Sequence, residues 1–496
     1  MNRSQDLSLI LQSRVPLVVI ESHEESHVIQ MIRRLAEDLG RPLYSWTVTQ
    51  GLKCHDPTYR LQPGDPRTAE PAAMLQQIRD TRTPGIFVLC DFHPYLENAP
   101  QIVRALKEIA LGYDYLGHTV LMLSARLELP EELVPFSARF ELPMPDAAEL
   151  EQIVREEAAN WTRDHDGVKV VTHRSTLDRI TRALAGLPIT DARRLARNAI
   201  YDDGALTESD LPEINRAKFE MLGMDGMLGF EYDTESFGAV GGLQRLKTWL
   251  DQRRPAFEGD PAAAGLDPPR GILLLGVQGS GKSLAAKATA GVWGVPLLRL
   301  DFGALYNKFF GESERNLRNA LQTAELMSPC VLWVDEIEKG LSIGDNEGGT
   351  SRRILGTLLT WMADRAAPVF LVATANDISS LPPELVRKGR LDEIFFVDLP
   401  ATEIRAEIFR IHLAKRDQSP ADFDLARLAA ETEGFSGAEI EAAVVAGLYS
   451  AVARKESLTT DHLRAEIANT RPLSTVMAEQ VAALRRWAEA RTVPAD

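Results

Sequence analysis

The sequence predicts two tandem α/β modules, each built on a five-stranded parallel sheet and followed by a small helical lid. Apolar runs of strand length alternate with segments of helical periodicity, which is the pattern of a parallel sheet covered by helices. The same order of runs occurs twice along the 496 residues, which indicates two modules. The runs cover residues 17–20, 43–47, 86–89, 120–123 and 139–142 in the first half, and 272–275, 297–300, 331–334, 369–373 and 394–397 in the second.

Short sequence echoes connect the two halves. Residues 129–134, 140–143 and 206–211 resemble later segments that are displaced by 252, 257 and 252 positions. Single echoes of this length arise by chance, but an ordered set with nearly constant displacement indicates an internal repeat. The later segments are residues 381–386, 397–400 and 458–463. We therefore predict a tandem duplication.

The repeat also gives expected domain boundaries. We expect a degenerate first α/β domain, its helical lid, a linker, a second and active α/β domain, its lid and a C-terminal helix. These segments cover residues 1–145, 146–221, 222–238, 239–400, 401–470 and 471–496, in that order.

Composition excludes several classes of protein. The formal charge of −16, from 55 basic and 71 acidic residues, disfavours broad binding to nucleic-acid phosphates. Cys54, Cys90 and Cys330 lie far apart, which is typical of a reducing compartment. The early apolar stretch 7–20 is interrupted by polar residues and is too short to span a bilayer. We expect a cytoplasmic protein with no membrane partner.

A phosphate-binding loop follows the first strand candidate of the second half. Residues 276–283 read Gly-Val-Gln-Gly-Ser-Gly-Lys-Ser, between an apolar run and a helical pattern. Backbone N–H groups of such a loop face the phosphates, Lys282 reaches the β- and γ-phosphates, and Ser283 offers an oxygen to Mg²⁺. The alternative is a glycine-rich turn with a solvated lysine. The predicted nucleotide contacts here are Gln278, Gly279, Ser280, Gly281, Lys282, Ser283 and Leu284.

Two later strand candidates end in polar residues. Asp335 and Glu336 follow the run 331–334, where Asp335 would bind Mg²⁺ and Glu336 would activate the attacking water. Asn376 follows the run 369–373 and is the candidate sensor of the γ-phosphate. The alternatives are carboxylates that cap a buried strand and an asparagine that forms a turn.

Arg387 and Arg390 lie beyond the sensor strand, three residues apart. Arginines in this place are candidates for fingers that reach the γ-phosphate bound by a neighbouring subunit. The residues alone favour a surface charge pair equally.

The four motifs together resemble the AAA clade of the AAA+ superfamily, which includes FtsH, katanin and spastin, over about residues 236–463. The resemblance implies P-loop-type α/β modules, ATP and Mg²⁺ as cofactors, and a homo-oligomeric ring, expected to be a hexamer. It assigns Arg387 and Arg390 as trans-acting fingers, although Lys388, Leu391 and Glu393 depart from the clade's usual residues. It also implies nucleotide contacts at Val240, Gly241, Ile408, His412, Gly437 and Ala438.

A segment between the second and third strand candidates resembles the first pore loop of this clade. Residues 308–314 read Lys-Phe-Phe-Gly-Glu-Ser-Glu. The resemblance implies that Lys308, Phe309 and Phe310 contact a polypeptide in the central channel, with Phe309 at the aromatic position. Burial of these phenylalanines in the core is the alternative.

Over the whole chain the resemblance narrows to AAA proteins of algal plastids and cyanobacteria, whose substrate is not established. The first module has lost the nucleotide motifs, since residues 21–27 read Glu-Ser-His-Glu-Glu-Ser-His and Asp91 stands alone after its strand. We predict a structural or regulatory module that does not hydrolyse ATP. His23, Glu24 and His27 also fit a zinc-protease motif. An exposed polar first turn of a helix is the favoured interpretation of these residues.

We therefore predict Mg²⁺-dependent ATP hydrolysis by a ring that remodels or threads a protein partner, selected by an adaptor or by the first module. The alternative is an ATP-gated scaffold with slow hydrolysis and no threading. A motor on nucleic acid is a weaker third reading, because the chain is acidic.

Overall fold

The computed structural model describes the chain except for residues 1–2, 56–63, 224–226, 233, 235–237, 239, 303–311, 342–347, 379–380, 386 and 388. The chain divides into two compact units. The first unit contains residues 1–153 and 187–194, and the second contains residues 154–186 and 195–496.

The first unit is built on a six-stranded sheet in the order β3-β2-β4-β5-β1-β6. Five of these strands are parallel, and β3 pairs antiparallel with β2 as a hairpin at the edge. The strands are β1 Leu17–Glu21, β2 Leu43–Thr47, β3 Gly51–Cys54, β4 Ile86–Cys90, β5 Thr119–Ser124 and β6 Ser137–Glu141.

Helices cover both faces of this sheet, so its central strands are apolar over their whole length. Every residue of β4 and β5 is buried, and two separate apolar clusters lie on the opposite faces. The helices are α1 Arg3–Gln12, α2 Glu25–Asp38, α3 Pro71–Asp80, α4 Pro100–Leu111 and α5 Tyr113–Leu116.

A helical segment follows in the chain. It also holds a two-stranded parallel sheet formed by β7 Val171–Thr172 and β8 Ala205–Leu206. Its helices are α6 Ala147–Asp164, α7 Arg174–Leu184, α8 Ile189–Asp203 and α9 Leu211–Met221.

The second unit contains a seven-stranded sheet in the order β15-β14-β10-β13-β12-β11-β9. Its strands are parallel except for β9, which pairs antiparallel with β11. The strands are β9 Leu228–Glu231, β10 Gly271–Gly276, β11 Leu297–Leu300, β12 Cys330–Val334, β13 Val369–Ala375, β14 Glu393–Val397 and β15 Val493–Pro494.

Helices again cover both faces of the second sheet, and a helical lid follows β14. Apolar clusters lie on each face, and a third fills the lid. The helices are α10 Gln244–Glu258, α11 Lys282–Trp293, α12 Glu312–Leu326, α13 Ile337–Leu341, α14 Gly348–Asp364, α15 Thr402–Ala414, α16 Leu425–Glu431, α17 Gly437–Arg454, α18 Thr460–Asn469, α19 Leu473–Val476 and α20 Ala478–Ala488.

The predicted fold class, tandem α/β modules with parallel sheets, is confirmed. Beyond the five predicted strands, the first sheet has one edge strand, β3, and the second has two, β9 and β15. Strand β9 lies in segment 222–238, which the sequence had indicated as a linker. Segment 471–496 holds two helices and β15 where a single helix was expected. Both strands are very short, and their pairing with a sheet edge formed by distant residues leaves no periodic signal in the sequence.

Candidate nucleotide-binding site

The loop between β10 and α11 has a backbone that only glycine readily adopts. Gly279 and Gly281 have φ of +77° and +97°. A Cβ on Gly279 would lie 2.9 Å from Ser436 Oγ and 3.2 Å from Ala438 Cβ. Glycine is therefore required at position 279 both by the turn and by the close approach of the lid.

The loop and the lid enclose a cleft of about 410 Å³. All of the nucleotide contacts predicted from the sequence lie around it, together with the polar ends of β12 and β13. The lining residues are Val240, Gly241, Gln278, Gly279, Ser280, Gly281, Lys282, Ser283, Leu284, Asp335, Glu336, Thr374, Asn376, Ile408, Ile411, His412, Gly437, Ala438 and Glu441.

The loop end of the cleft is suited to an anion. Helix α11 begins at Lys282, and its N-cap Gly281 offers no side chain to the first N–H groups of the helix. Ser280 Oγ is buried without a hydrogen-bond partner among the described residues. Lys282 Nζ donates to the carbonyls of Gly276 (2.9 Å) and Val277 (2.7 Å), and burial lowers its pKa to about 8. Phosphate oxygens would satisfy these donors.

Oxygen atoms of the loop and of β12 meet next to this anion site. Ser283 Oγ donates to Asp335 Oδ1 over 3.2 Å, and Thr374 Oγ1 donates to the same oxygen over 2.6 Å. Thr374 Oγ1 also accepts the N–H of Glu336 at 2.9 Å. A hydroxyl and a carboxylate held side by side are ligands that fit Mg²⁺ beside a phosphate.

Glu336 is held from two sides at the end of β12. Asn376 Nδ2 donates to its Oε1 over 2.9 Å, and Lys339 forms an ion pair with its Oε2. Glu336 has φ of +47°, an uncommon conformation for a residue with a Cβ. The Asn376 N–H donates to Glu338 Oε1 over 2.9 Å, and burial raises the pKa of Glu338. The side chains of Glu336 and Asn376 are thus held together by a hydrogen bond.

Sequence reasoning missed four residues of this region: Thr374, Glu338, Ile411 and Glu441. A signal for Thr374 exists, because a hydroxyl in a wholly buried strand needs a partner. Glu441 lies 3.5 Å from His412 Nδ1, and its Oε1 accepts a hydrogen bond from Arg416 at 2.7 Å. Burial lowers the pKa of His412. These lid contacts join residues of different helices and give no local pattern.

The two predicted arginine fingers do not line the cleft. Arg387 is exposed, and Arg390, which is partly exposed, donates to the carbonyl of Glu384. Lys308, Phe309 and Phe310 fall outside the described residues. The cleft of one chain therefore brings together all of the nucleotide contacts predicted within a single subunit, whereas the two arginines lie at the surface.

The first unit keeps the loop-to-lid contact of this site in an altered form. In the second module, the N–H of Ala438 donates to the Gly279 carbonyl over 3.2 Å. In the first, the equivalent N–H of Thr190 donates to Glu24 Oε1 over 2.9 Å, and Thr190 Oγ1 adds a bond of 3.3 Å. Glu24 and Gly279 each stand three residues after the end of their strands. A carboxylate of the chain itself thus lies against the lid helix.

The carboxylate pair at the end of β12 is also lost in the first unit. Asp91, the first residue after β4, has φ of +49°, close to the +47° of Glu336. The residue before it is Cys90, whereas Glu336 is preceded by the carboxylate of Asp335. Burial, the main cause, raises the pKa of Cys90 to about 12, so the thiol stays neutral.

The geometry does not support the zinc-protease reading of His23 and His27. Helix α2 begins at Glu25, so His23 precedes the helix and the two rings do not share a helical face. Glu24, the base of that motif, is occupied with Thr190. Within the described part of the chain, no group of three or more His, Cys, Asp or Glu side chains is placed to hold a metal ion.

Models of known protein families match four parts of the chain. The model of the ATPase family associated with various cellular activities (AAA) matches residues 272–399, and the AAA+ lid domain matches 422–465. The SpoVK-like AAA ATPase models match with their N-terminal domain at residues 3–142 and their second domain at 148–225.

Relatives similar over the full length decide the family. The "Uncharacterized AAA domain-containing protein ycf46" of Trieres chinensis is 35% identical over 98% of this chain and 97% of its own length. The chain belongs to the ycf46 family of AAA ATPases. The same-named protein of Pyropia yezoensis is 35% identical over 98% of both chains. The "Proteasome-activating nucleotidase" of Aeropyrum pernix is 38% identical, over 40% of this chain and 49% of its own length.

Membership confirms the resemblance seen in the sequence, and the AAA domain makes the chain an ATP-hydrolysing enzyme. In the described part of the chain, no helix is both long and apolar enough to cross a bilayer.

We expect one ATP to bind per chain, and two variants to separate binding from turnover. Lys282→Ala should lose binding because its ammonium is the buried cation of the anion site. Glu336→Gln should bind ATP with near wild-type affinity but lose turnover by about 10²-fold or more, since the predicted general base is gone. Calorimetry gives the stoichiometry and phosphate release gives the rate. Two ATP per wild-type chain would contradict the assignment of the first module.

Glu24→Ala should loosen the start of α8 in the first unit, because the Thr190 N–H then loses its charged acceptor. The loss should be about 1.5–3 kcal/mol in the local opening free energy of residues 187–194, measured by hydrogen exchange. Glu24→Gln retains an acceptor and should lose less. The neighbouring exposed His23→Ala is the matched control and should change nothing. Equal protection in Glu24→Ala and His23→Ala would show that Glu24 does not hold this segment.

Proposed function

We propose that the chain hydrolyses ATP as a homo-oligomeric ring, with six subunits and Mg²⁺, and uses the energy to remodel or thread a protein partner. The observation that carries this proposal is the charge inside the cleft. Among the described residues that line it, Lys282 is the cation of the phosphate end and no arginine is present. Phosphoryl transfer spreads negative charge over the γ-phosphate oxygens, and one lysine leaves part of it unbalanced.

Arg387 and Arg390 would supply the missing charge from a neighbouring subunit. Both lie at the surface, and neither lines the cleft of its own chain. An arginine finger contributes about 10³- to 10⁵-fold to turnover in related phosphoryl transfers. This arrangement links hydrolysis to assembly, because a single subunit would hold ATP without completing its site.

Within the cleft, each polar side chain has a role in the transfer. Ser283 and Asp335 would hold Mg²⁺, which neutralises charge between the β- and γ-phosphates when bound. Glu336 would orient the attacking water and accept its proton. Asn376 fixes Glu336 by its 2.9 Å hydrogen bond and would contact the γ-phosphate. Thr374 orients Asp335, so it acts as a positioning residue.

A protein partner is favoured over nucleic acid. The net charge of −16 opposes binding to a phosphate backbone. Relatives of the AAA domain include the "Proteasome-activating nucleotidase" and the "Cell division cycle protein 48 homolog" of Archaeoglobus fulgidus, which is 36% identical over 36% of this chain. Phe309 occupies the aromatic position of the pore-loop resemblance, and an aromatic side chain gives a large contact that tolerates many sequences.

A second candidate is an ATP-gated scaffold that hydrolyses slowly and threads nothing. The Glu24 contact in the first unit favours it, since a lid helix held by an internal carboxylate does not respond to nucleotide. Such a module presents the same surface in every nucleotide state. It would serve as a constant docking platform while the second module controls assembly.

If a neighbouring subunit completes each site, a mixture of two inactive variants should regain activity. Arg387→Ala and Glu336→Gln should each lose turnover by about 10²-fold or more, and a mixture should recover part of it. Recovery follows because an intact Arg387 from one subunit then meets an intact Glu336 of its neighbour. Phosphate release reports activity, and mass photometry with ATP and Mg²⁺ reports the ring.

The exposed Arg486→Ala serves as the matched control and should behave as wild type. A monomer that hydrolyses ATP at the wild-type rate, or full activity of Arg387→Ala alone, would refute the ring mechanism.

Threading and scaffolding differ at Phe309. If substrate is threaded, Phe309→Ala should abolish ATP-dependent unfolding of a fluorescent reporter with a disordered tail, because the channel loses its aromatic contact. Phe309→Tyr keeps the ring and should retain unfolding, and both variants should hydrolyse ATP. Equal behaviour of Phe309→Ala, Phe309→Tyr and wild type in this assay would favour the scaffold.

A further inference from the structure

The stretch Val240–Gly242 needs outside contacts to keep its shape. Val240 and Gly241 line the cleft, and the chain turns sharply just after them. Gly242 has φ of +70°, and Leu243 follows with φ of +60°. The left-handed conformation is unfavourable for a residue with a Cβ. The turn therefore persists because neighbouring residues hold it.

Lys247, in the first turn of α10, holds one end of this stretch. Its Nζ donates to the Val240 carbonyl over 2.8 Å, and its ammonium interacts electrostatically with the carboxylates of Glu407 and Asp496. Glu407 Oε2 also accepts the N–H of Gly242 at 3.2 Å. The peptide of a cleft-lining residue is thus fixed by a side chain that does not line the cleft.

Residues 495 and 496 hold the other end of the stretch, where Gly242 leads into α10. The N-cap residue of α10, Leu243, offers no side-chain acceptor, and the first N–H groups of the helix find acceptors in this distant segment. Asp496 Oδ1 accepts from the Gln244 N–H at 3.3 Å, and the Ala495 carbonyl accepts from Arg245 and Leu246, each at 3.1 Å. A Cβ on Gly242 would lie 2.9 Å from Asp496 Oδ1, so the carboxylate stands directly beside the turn.

Segment 493–496 is itself attached to the seven-stranded sheet. Strand β15 pairs in parallel with β14, in the register Phe395 to Val493. The N–H of Ala495 donates to the Phe396 carbonyl over 3.0 Å, and Ala495 is 2% exposed within the core. Strand β14 pairs with β10, and β10 leads into the phosphate loop. Segment 493–496 is therefore linked through the sheet to the phosphate loop as well as to the stretch Val240–Gly242.

We infer that Lys247 and Asp496 are positioning residues that set adenine affinity by holding Val240–Gly242, with segment 493–496 as the brace. The inference rests on the nucleotide contacts that the family resemblance implies for Val240 and Gly241, which we assign to the adenine base. The brace acts at the base end of the cleft, whereas the phosphates are held by a separate loop. Its loss weakens ligands that carry a base and spares those that consist of phosphate alone.

The test compares ADP with pyrophosphate, a matched pair that differs in the nucleoside, on the full chain with Mg²⁺. Lys247→Met should raise the Kd of ADP about tenfold and Asp496→Ala about threefold, through loss of a charged and a weaker hydrogen bond. The Kd of pyrophosphate should stay within about twofold, and kcat at saturating ATP should not change. Asp496→Asn keeps the acceptor and should restore wild-type affinity for ADP.

Glu489→Ala, which removes an exposed carboxylate that precedes segment 493–496, is the control and should match wild type. An unchanged Kd for ADP in both variants overturns the inference, as does an equal loss for ADP and pyrophosphate. A wild-type chain that binds pyrophosphate as tightly as ADP overturns the proposed base contact, and the inference with it. Wild-type discrimination with unchanged variants overturns the brace alone.

Discussion

The parallel pairing of β10, β12 and β13 is the constraint on which the site depends. Because all three strands run in one direction, their carboxyl ends open on the same edge of the sheet. The phosphate loop, Asp335 and Asn376 follow those ends and meet there, although about a hundred residues of chain separate the first from the last. An antiparallel strand among them would have sent one of these groups to the opposite edge.

Hydrogen bonds then convert this proximity into a fixed geometry. Thr374 connects Asp335 to the backbone of Glu336, and Asn376 holds the Glu336 side chain. Lys282 is buried at some electrostatic cost, which the lowered pKa of its ammonium reflects. A site of this kind is preorganised for an anionic ligand, since the groups already point to where charge will be placed.

The two modules show how one scaffold keeps its architecture after the loss of chemistry. Both retain the parallel sheet and the contact between the first loop and a lid helix. In the second module the contact is made by a loop carbonyl, which leaves room for phosphates in the loop. In the first, the acceptor is the carboxylate of Glu24, which brings negative charge to the loop that corresponds to the phosphate loop. Repulsion between like charges disfavours nucleotide there.

The sequence by itself determined the strand–helix alternation, the two modules, and the cleft residues of the phosphate loop and the strand ends, because each has a local signal. Periodicity, glycine spacing and polar residues at strand ends all act over a few positions. The tertiary structure decided what depends on distant pairing, such as strands β9 and β15, the support of Asp335 by Thr374, and the brace from Asp496 to the start of α10. Such contacts join residues as far apart as Gln244 and Asp496. A local sequence pattern does not indicate them, because it depends only on residues a few positions apart.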